Sequence, residues 1–120
     1  MSDSRAQIRE MSGAVIVEFP DSARLDPAPV RQLRMELESL RSRVGHANVI
    51  VDLRGVEFAG SATLGGFVAI QRDCGIHGGR IVLCNVDPTV REVFRVTHLD
   101  TLFHFVPDTT SALAAVARPG

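Results

Sequence analysis

The stretch 48–67, "NVIVDLRGVEFAGSATLGGF", decides how this chain is read. Its first part, "NVIVDL" (48–53), is a continuous apolar run, the pattern of a strand covered on both faces. "RGVEF" reads as an exit loop. From Ser61 the spacing changes: Leu64, Phe67, Val68 and Gln71 fall on one helical face that runs to about Cys74. A buried strand handing over to a helix is the building unit of an α/β layer. In such layers, sites form beyond the carboxyl ends of the strands. Ser61 and Thr63 stand at that handover among Gly and Ala. A small hydroxyl there has several possible roles: helix cap, part of a phosphate cradle, nucleophile or phosphorylation site. As a cap, the Ser61 oxygen would accept from the backbone N–H of Thr63 or Leu64, worth about 1 kcal/mol.

Working outward, the same alternation repeats. "GAVIVEFP" (13–20) reads as a strand ended by Pro, with "AQIRE" (6–10) as a short hairpin partner across "MSG". "DSARLDPAP" (21–29) is a loop, and Pro29 suits a first helical turn. Val30, Leu33, Leu37, Leu40 and Val44 then recur at helical spacing until Gly45 supplies a stop. The mixed charges between them, from Arg31 to Arg43, form a solvated face. "GIHGG" (75–79) ends the helix that starts near Ser61, and "RIVLCNV" (80–86) is a second buried strand. Asp87 as cap and Pro88 at the first helical position open "DPTVREVFRVTHL". Val90, Val93, Phe94 and Thr97 face inward. "LFHFV" (102–106) is a short strand. "PDTTSALAAVA" (107–117) is a last helix presenting Ala112, Leu113 and Val116, and "RPG" is a frayed end. The expected fold is an α/β layer: a mixed, largely parallel sheet of four to five strands with about four helices, in one domain spanning 1–120.

Composition narrows the chemistry. The net charge is −1, with 13 basic and 14 acidic residues, which gives no field for nucleic acid or for an anionic membrane. The apolar runs fall far short of the about 20 residues a membrane span needs, and "MSDSRAQIRE" has no apolar signal core. A cytoplasmic protein is expected, with Cys74 and Cys84 as reduced thiols. All the basic residues are Arg; the chain has no Lys, Tyr or Trp. That excludes a Walker-type phosphate loop, a Schiff-base enzyme, a protein-kinase fold and a lysine-dependent receiver domain. The hydrolase elbow G-x-S-x-G is not met by Ala59-Gly60-Ser61-Ala62-Thr63. Gly65-Gly66 and Gly78-Gly79 belong to packing and helix closure rather than to a dinucleotide motif. Cys74 and His77 form a lone C-x-x-H without a second pair, too little for zinc. Neither an enzyme nor a bound cofactor is expected.

The span "VIVDLRGVEFAGSATLGGFVAIQRDCGIHGGRIVLCNVDPTVREVFRVTHLDTLF" (49–103) closely resembles STAS domains, and within that family the bacterial anti-sigma factor antagonists. The family pattern is an apolar strand ending in Asp, a short loop, an aromatic or apolar residue and then Asp-Ser-Ser/Thr-Gly-Leu-Gly. A helix, a Gly-Gly turn, a second apolar strand and a helix opening on Pro follow. Each element occurs here in order, and "RLDPAPVRQLRMEL" (24–37) matches the first helix and its preceding loop. The resemblance implies a non-enzymatic transcription regulator that binds an anti-sigma factor, itself commonly a serine kinase. Phosphorylation by that kinase inactivates the antagonist, and a phosphatase reverses it. The implied phosphoacceptor is Ser61, and the loop Asp near the partner surface is Asp26. Gly60 stands where the motif has Asp, Ala62 where it has a second hydroxyl, and Thr63 where it has Gly; Ser61, Leu64 and Gly65 match.

The partner surface expected from this comprises Asp26, Gly60, Ser61, Ala62, Thr63, Leu64 and Gly65. Thr63 is a fallback acceptor. Leu64 is open to two readings, an exposed apolar anchor or part of the core. A phosphate at a helix start is tolerated by the helix dipole but repels an acidic partner group, so it switches an interface more readily than a fold. Two other readings stay open. One is a constitutive interaction scaffold. The other is a small-molecule or nucleotide binder for which Gly60 makes room. The protein itself is expected to be a monomer or weak dimer.

Overall fold

A computed structural model describes residues 5–11, 13–45 and 48–117 of the chain. Ser12 of the hairpin connection, His46, the side chain of Val44 and the terminal "RPG" lie outside the described set. In chain order the elements are β1 (Gln7–Met11), β2 (Ala14–Glu18), β3 (Arg24–Leu25), α1 (Pro27–Val44), β4 (Val49–Asp52), β5 (Phe58–Ala59), α2 (Ser61–Ile76), β6 (Ile81–Cys84), α3 (Pro88–Val96), a 3-10 turn (Asp100–Leu102), β7 (His104–Val106) and α4 (Thr109–Ala117). The main sheet has the order β1-β2-β4-β6-β7. β1 runs antiparallel to β2, and the other pairs are parallel. The mixed, largely parallel five-stranded sheet with four helices agrees with the sequence expectation.

Two-sided burial of the central strands follows from their composition. All four residues of both β4 and β6 are buried. One face of the sheet, with Val15, Val17, Val49, Val51, Ile81 and Leu83, packs under α1, α2 and α3 through Val30, Leu33, Leu37, Leu64, Phe67, Val90 and Phe94. The other, with Ala14, Ile16, Ile50, Val82 and Cys84, is covered by Ala112, Ala115 and Val116 of α4. The punctuation works as the residues dictate. Gly45 closes α1 at φ 76°, its N–H donating to the Arg41 carbonyl. Asp87 caps α3 by accepting from the Thr89 N–H at 2.8 Å. α1 starts at Pro27 after Asp26, which holds the extended conformation of a cap, so Pro29 lies in the first helical turn as expected.

The sequence reading missed β3 and β5, which lie in stretches expected to be loops. They form a separate two-stranded parallel ladder, pairing Arg24 with Phe58 and Leu25 with Ala59. The carbonyl of Ala23 holds its upstream end, accepting from the N–H groups of Glu57 (2.6 Å) and Phe58 (3.0 Å). This ladder sits just ahead of α1 and α2 and sets where both helices begin.

Candidate functional site

The ladder brings together the two segments that the sequence reading singled out. Asp26 follows Leu25, and Gly60 follows Ala59, so continuing the parallel register places Asp26 beside Gly60 and next to Ser61. Gly60 is the cap residue of α2, extended at φ −85° and ψ 177° and without a side chain to bond the first turn. Ser61 is therefore the first helical residue rather than the cap, which corrects the simplest reading of its role. The residue is exposed. The Leu64 N–H closes the first intrahelical bond, onto the Gly60 carbonyl at 3.1 Å. By helix geometry the N–H groups of residues 61 to 63 have no partner within the helix, and the positive end of the helix dipole lies at Ser61.

The remaining expected site residues divide into two sets. Ala62 and Gly65 are exposed, as is Asp26. Thr63 and Leu64 are not. Thr63 is 1% exposed, and its Oγ1 donates to the Leu25 carbonyl at 2.9 Å, which ties α2 to β3. It is a structural hydroxyl and not a second acceptor available to a kinase. Leu64 is fully buried in the main core, so it is no partner anchor. The reason is periodicity: Leu64 and Phe67 share one face at a spacing of three, and Phe67 also lies at 0% exposure. The apolar group that does reach solvent here is Phe58, 38% exposed, which the sequence reading placed in a loop without a role.

Charge around Ser61 comes from the same ladder. Arg24 places its guanidinium carbon 4.9 Å from the centre of the Phe58 ring and its Nε 3.7 Å from Asp26 Oδ1. A side chain at Gly60 would meet only Phe58 Cε2, at 3.9 Å, an ordinary contact. The fold itself therefore does not require a glycine at position 60. Gly66 is different. A Cβ there would lie 2.7 Å from Val30 Cγ1, so this glycine permits α1 and α2 to pack. Further along the same two helices, Arg34 forms a two-pronged pair with Asp73 at 2.7 and 3.1 Å. That bond holds the Asp73 carboxyl below the usual carboxylate range.

Other chemistry-bearing groups are structural. Asp52, the last residue of β4, is buried, and its Oδ1 accepts from the Arg54 N–H (3.0 Å) and from Asn85 Nδ2 (2.9 Å). It fastens the ends of β4 and β6 together. Cys74 and Cys84 are free and buried, and burial pushes both thiols up to about 11. Among the described residues no group of His, Cys, Asp and Glu is arranged to hold a metal ion. Among the described residues, too, no helix is long and apolar enough to cross a membrane.

An open, mostly parallel sheet that delivers an exposed serine to a helix start, beside an aspartate from a neighbouring loop, defines a class of small α/β domain whose distinctive feature is a surface. The particular family follows from comparison. Residues 5–112 match the STAS domain, and the chain belongs to that family. Its fold is similar to that of an anti-sigma-factor antagonist (STAS) domain protein from Planctomyces limnophilus, with 26% identity, a TM-score of 0.83, and coverage of 95% of this chain and 99% of that one. It is also similar to the anti-sigma factor antagonist SpoIIAA in its unphosphorylated form, at 20% identity and TM-score 0.77, covering 96% and 99% of the two chains. The likeness extends to the Bacillus cell fate determinant SpoIIAA in the phosphorylated form, at 21% identity and TM-score 0.70, covering 92% and 98%.

Proposed function

We propose that this protein is an anti-sigma factor antagonist of the bacterial cytoplasm. It binds an anti-sigma factor with serine kinase activity through the face around Ser61 and Asp26, and so frees the sigma factor for transcription. The kinase ends this by transferring the γ-phosphoryl group of ATP to Ser61. A bond forms from Oγ to phosphorus, the bond bridging the β- and γ-phosphates breaks, ADP leaves, and the hydroxyl proton passes to a base on the kinase. A phosphatase adds water, returning serine and inorganic phosphate.

The observation that carries this reading is the placement of Ser61. Ser61 is exposed at the start of a 16-residue helix, whereas the neighbouring Thr63 hydroxyl is buried and bonded. Phosphate on Ser61 adds about −1.5 to −2 charges at the end of the helix dipole that favours an anion, so the fold tolerates it. A partner that brings an acidic group to this face does not. Two like charges about 4 Å apart cost on the order of 4 kcal/mol at an effective dielectric of 20, or two to three decades in affinity.

Incubation with the cognate anti-sigma kinase and ATP, followed by intact-mass measurement, tests the proposal. One phosphate, located at Ser61 and absent from Ser61→Ala, is expected. A second reading is favoured by Gly60, which stands where the family motif has Asp: a constitutive scaffold that binds its partner without a phosphate switch. A chain that takes up no phosphate, yet binds the anti-sigma factor equally well as Ser61→Asp, supports that alternative.

A further inference from the structure

The β3–β5 ladder does more than pin α2. Its side chains alternate: Arg24 and Asp26 are exposed on either side of buried Leu25, and Phe58 is exposed before buried Ala59. With the two-residue period of a strand, Arg24, Asp26, Phe58 and Gly60 share the solvent side. The Arg24 guanidinium lies over the ring of Phe58, its partner across the ladder, and its Nε is 3.7 Å from Asp26 Oδ1. Continuing the register sets Pro27 opposite Ser61. From a rise of about 3.3 Å per residue and a strand spacing of about 4.8 Å, the Cα atoms of Arg24 and Ser61 lie about 11 Å apart. An extended arginine and a phosphoserine together bridge that gap.

The present anchor of Arg24 is weak. Its pair with Asp26 is long, and the two side chains are 75% and 67% exposed, conditions under which an ion pair holds little. A phosphate offers more. It carries roughly twice the charge of a carboxylate, and its oxygens match the two-pronged donor geometry of a guanidinium.

We propose that Arg24 is the internal receptor for a phosphate on Ser61: upon modification its guanidinium leaves Asp26 and engages the phosphate. The inference rests on the reading of Ser61 as the phosphoacceptor. The exchange breaks and forms only ion pairs, while Leu25 and Ala59 stay buried and hold the ladder. One modification thus changes two positions of the docking face. Ser61 gains a charge that Arg24 partly neutralises, and Asp26 loses its counter-charge. A partner basic group that met a paired Asp26 before phosphorylation meets a bare one afterwards, and Phe58 loses the cation above its ring.

Phosphoserine encoded genetically at position 61, with no kinase involved, tests this. In a phosphorus NMR titration the second ionisation of the phosphate is expected to lie lower in the otherwise native chain than in Arg24→Gln, by about half a unit or more. Arg24→Lys, which keeps the charge without the fork, retains part of the lowering. Arg31→Gln and Arg54→Gln, at exposed positions outside the ladder, leave it unchanged, and amide spectra of each variant report an intact fold. A phosphate that titrates identically with Arg or Gln at position 24, or that responds to Arg31 instead, overturns the proposal. The two readings fail separately. A kinase that never modifies Ser61 refutes the switch and leaves this titration standing, whereas an unresponsive titration refutes the role of Arg24 alone.

Discussion

Helices α1 and α2 pack side by side on one face of the sheet, and they meet solvent with opposite chemistry. α1 surrounds its buried stripe with Arg31, Arg34, Glu36, Glu38, Arg41 and Arg43, and its last turn is basic, where cations suit the dipole. α2 has no charged residue before Arg72, and its first turns expose Ser61, Ala62 and Gly65. It also carries two adjacent glycines, each costing about 0.5–1 kcal/mol relative to alanine inside a helix. Contact with Val30 accounts for Gly66; nothing lies within 4 Å of a Cβ built at Gly65. Folding and solvation therefore account for the buried stripe and the charged flanks of α1, with exposed Met35 the exception. They do not account for the outer side of the first turns of α2, around Ser61. A surface that the fold does not require is where function is best sought.

That contrast between an inner side fixed by packing and an outer side free of it can be broken by substitution. The largest effect is expected at Leu64. Leu64→Ala opens a hole in the main core and costs about 2–5 kcal/mol of stability in denaturant titration; a near-zero cost would return this side chain to the surface. The adjacent glycines come next and should move in opposite directions. Gly66→Ala forces Val30 aside and destabilises by about 1–3 kcal/mol, while Gly65→Ala stabilises by about 0.5–1 kcal/mol. Equal signs at the two positions would erase the distinction. The smallest effect is expected at the cap. Gly60→Asp fits the extended backbone, meets only Phe58, and supplies the first turn with an acceptor, so it stabilises by a few tenths of a kcal/mol. A marked loss of stability would mean that Gly60 is needed by the fold.

Much of this architecture was legible in the residues. The apolar runs of β4 and β6, the Asp87–Pro88 start of α3 and the Gly45 stop of α1 each follow from one local rule, and the structure obeys them. Elements without a local signature were not legible. A ladder of two residues per strand is too short to show a period, and only the distant carbonyls of Ala23 and Leu25 reveal why residues 24–25 and 58–59 pair. The site was readable in part for the same reason. Ser61 was placed correctly at the start of the helix. Its shift from cap to first helical residue, however, depends on the backbone of Gly60. The fate of Thr63 depends on a carbonyl 38 residues away. The burial of Leu64 follows from its helical spacing to Phe67, whereas the exposure of Phe58 was set by the ladder rather than by its own neighbours in sequence.

The claim on which the account depends is that negative charge at Ser61 changes what docks while leaving the domain intact. Calorimetric titration of the purified anti-sigma factor with the native chain and with the chain carrying phosphoserine at 61, accompanied by thermal melts of both, measures this directly. Binding weakened by about two to three decades, with melting temperatures that coincide, is expected. Equal affinities with coincident melts, or a phosphorylated domain that melts markedly earlier, would contradict it.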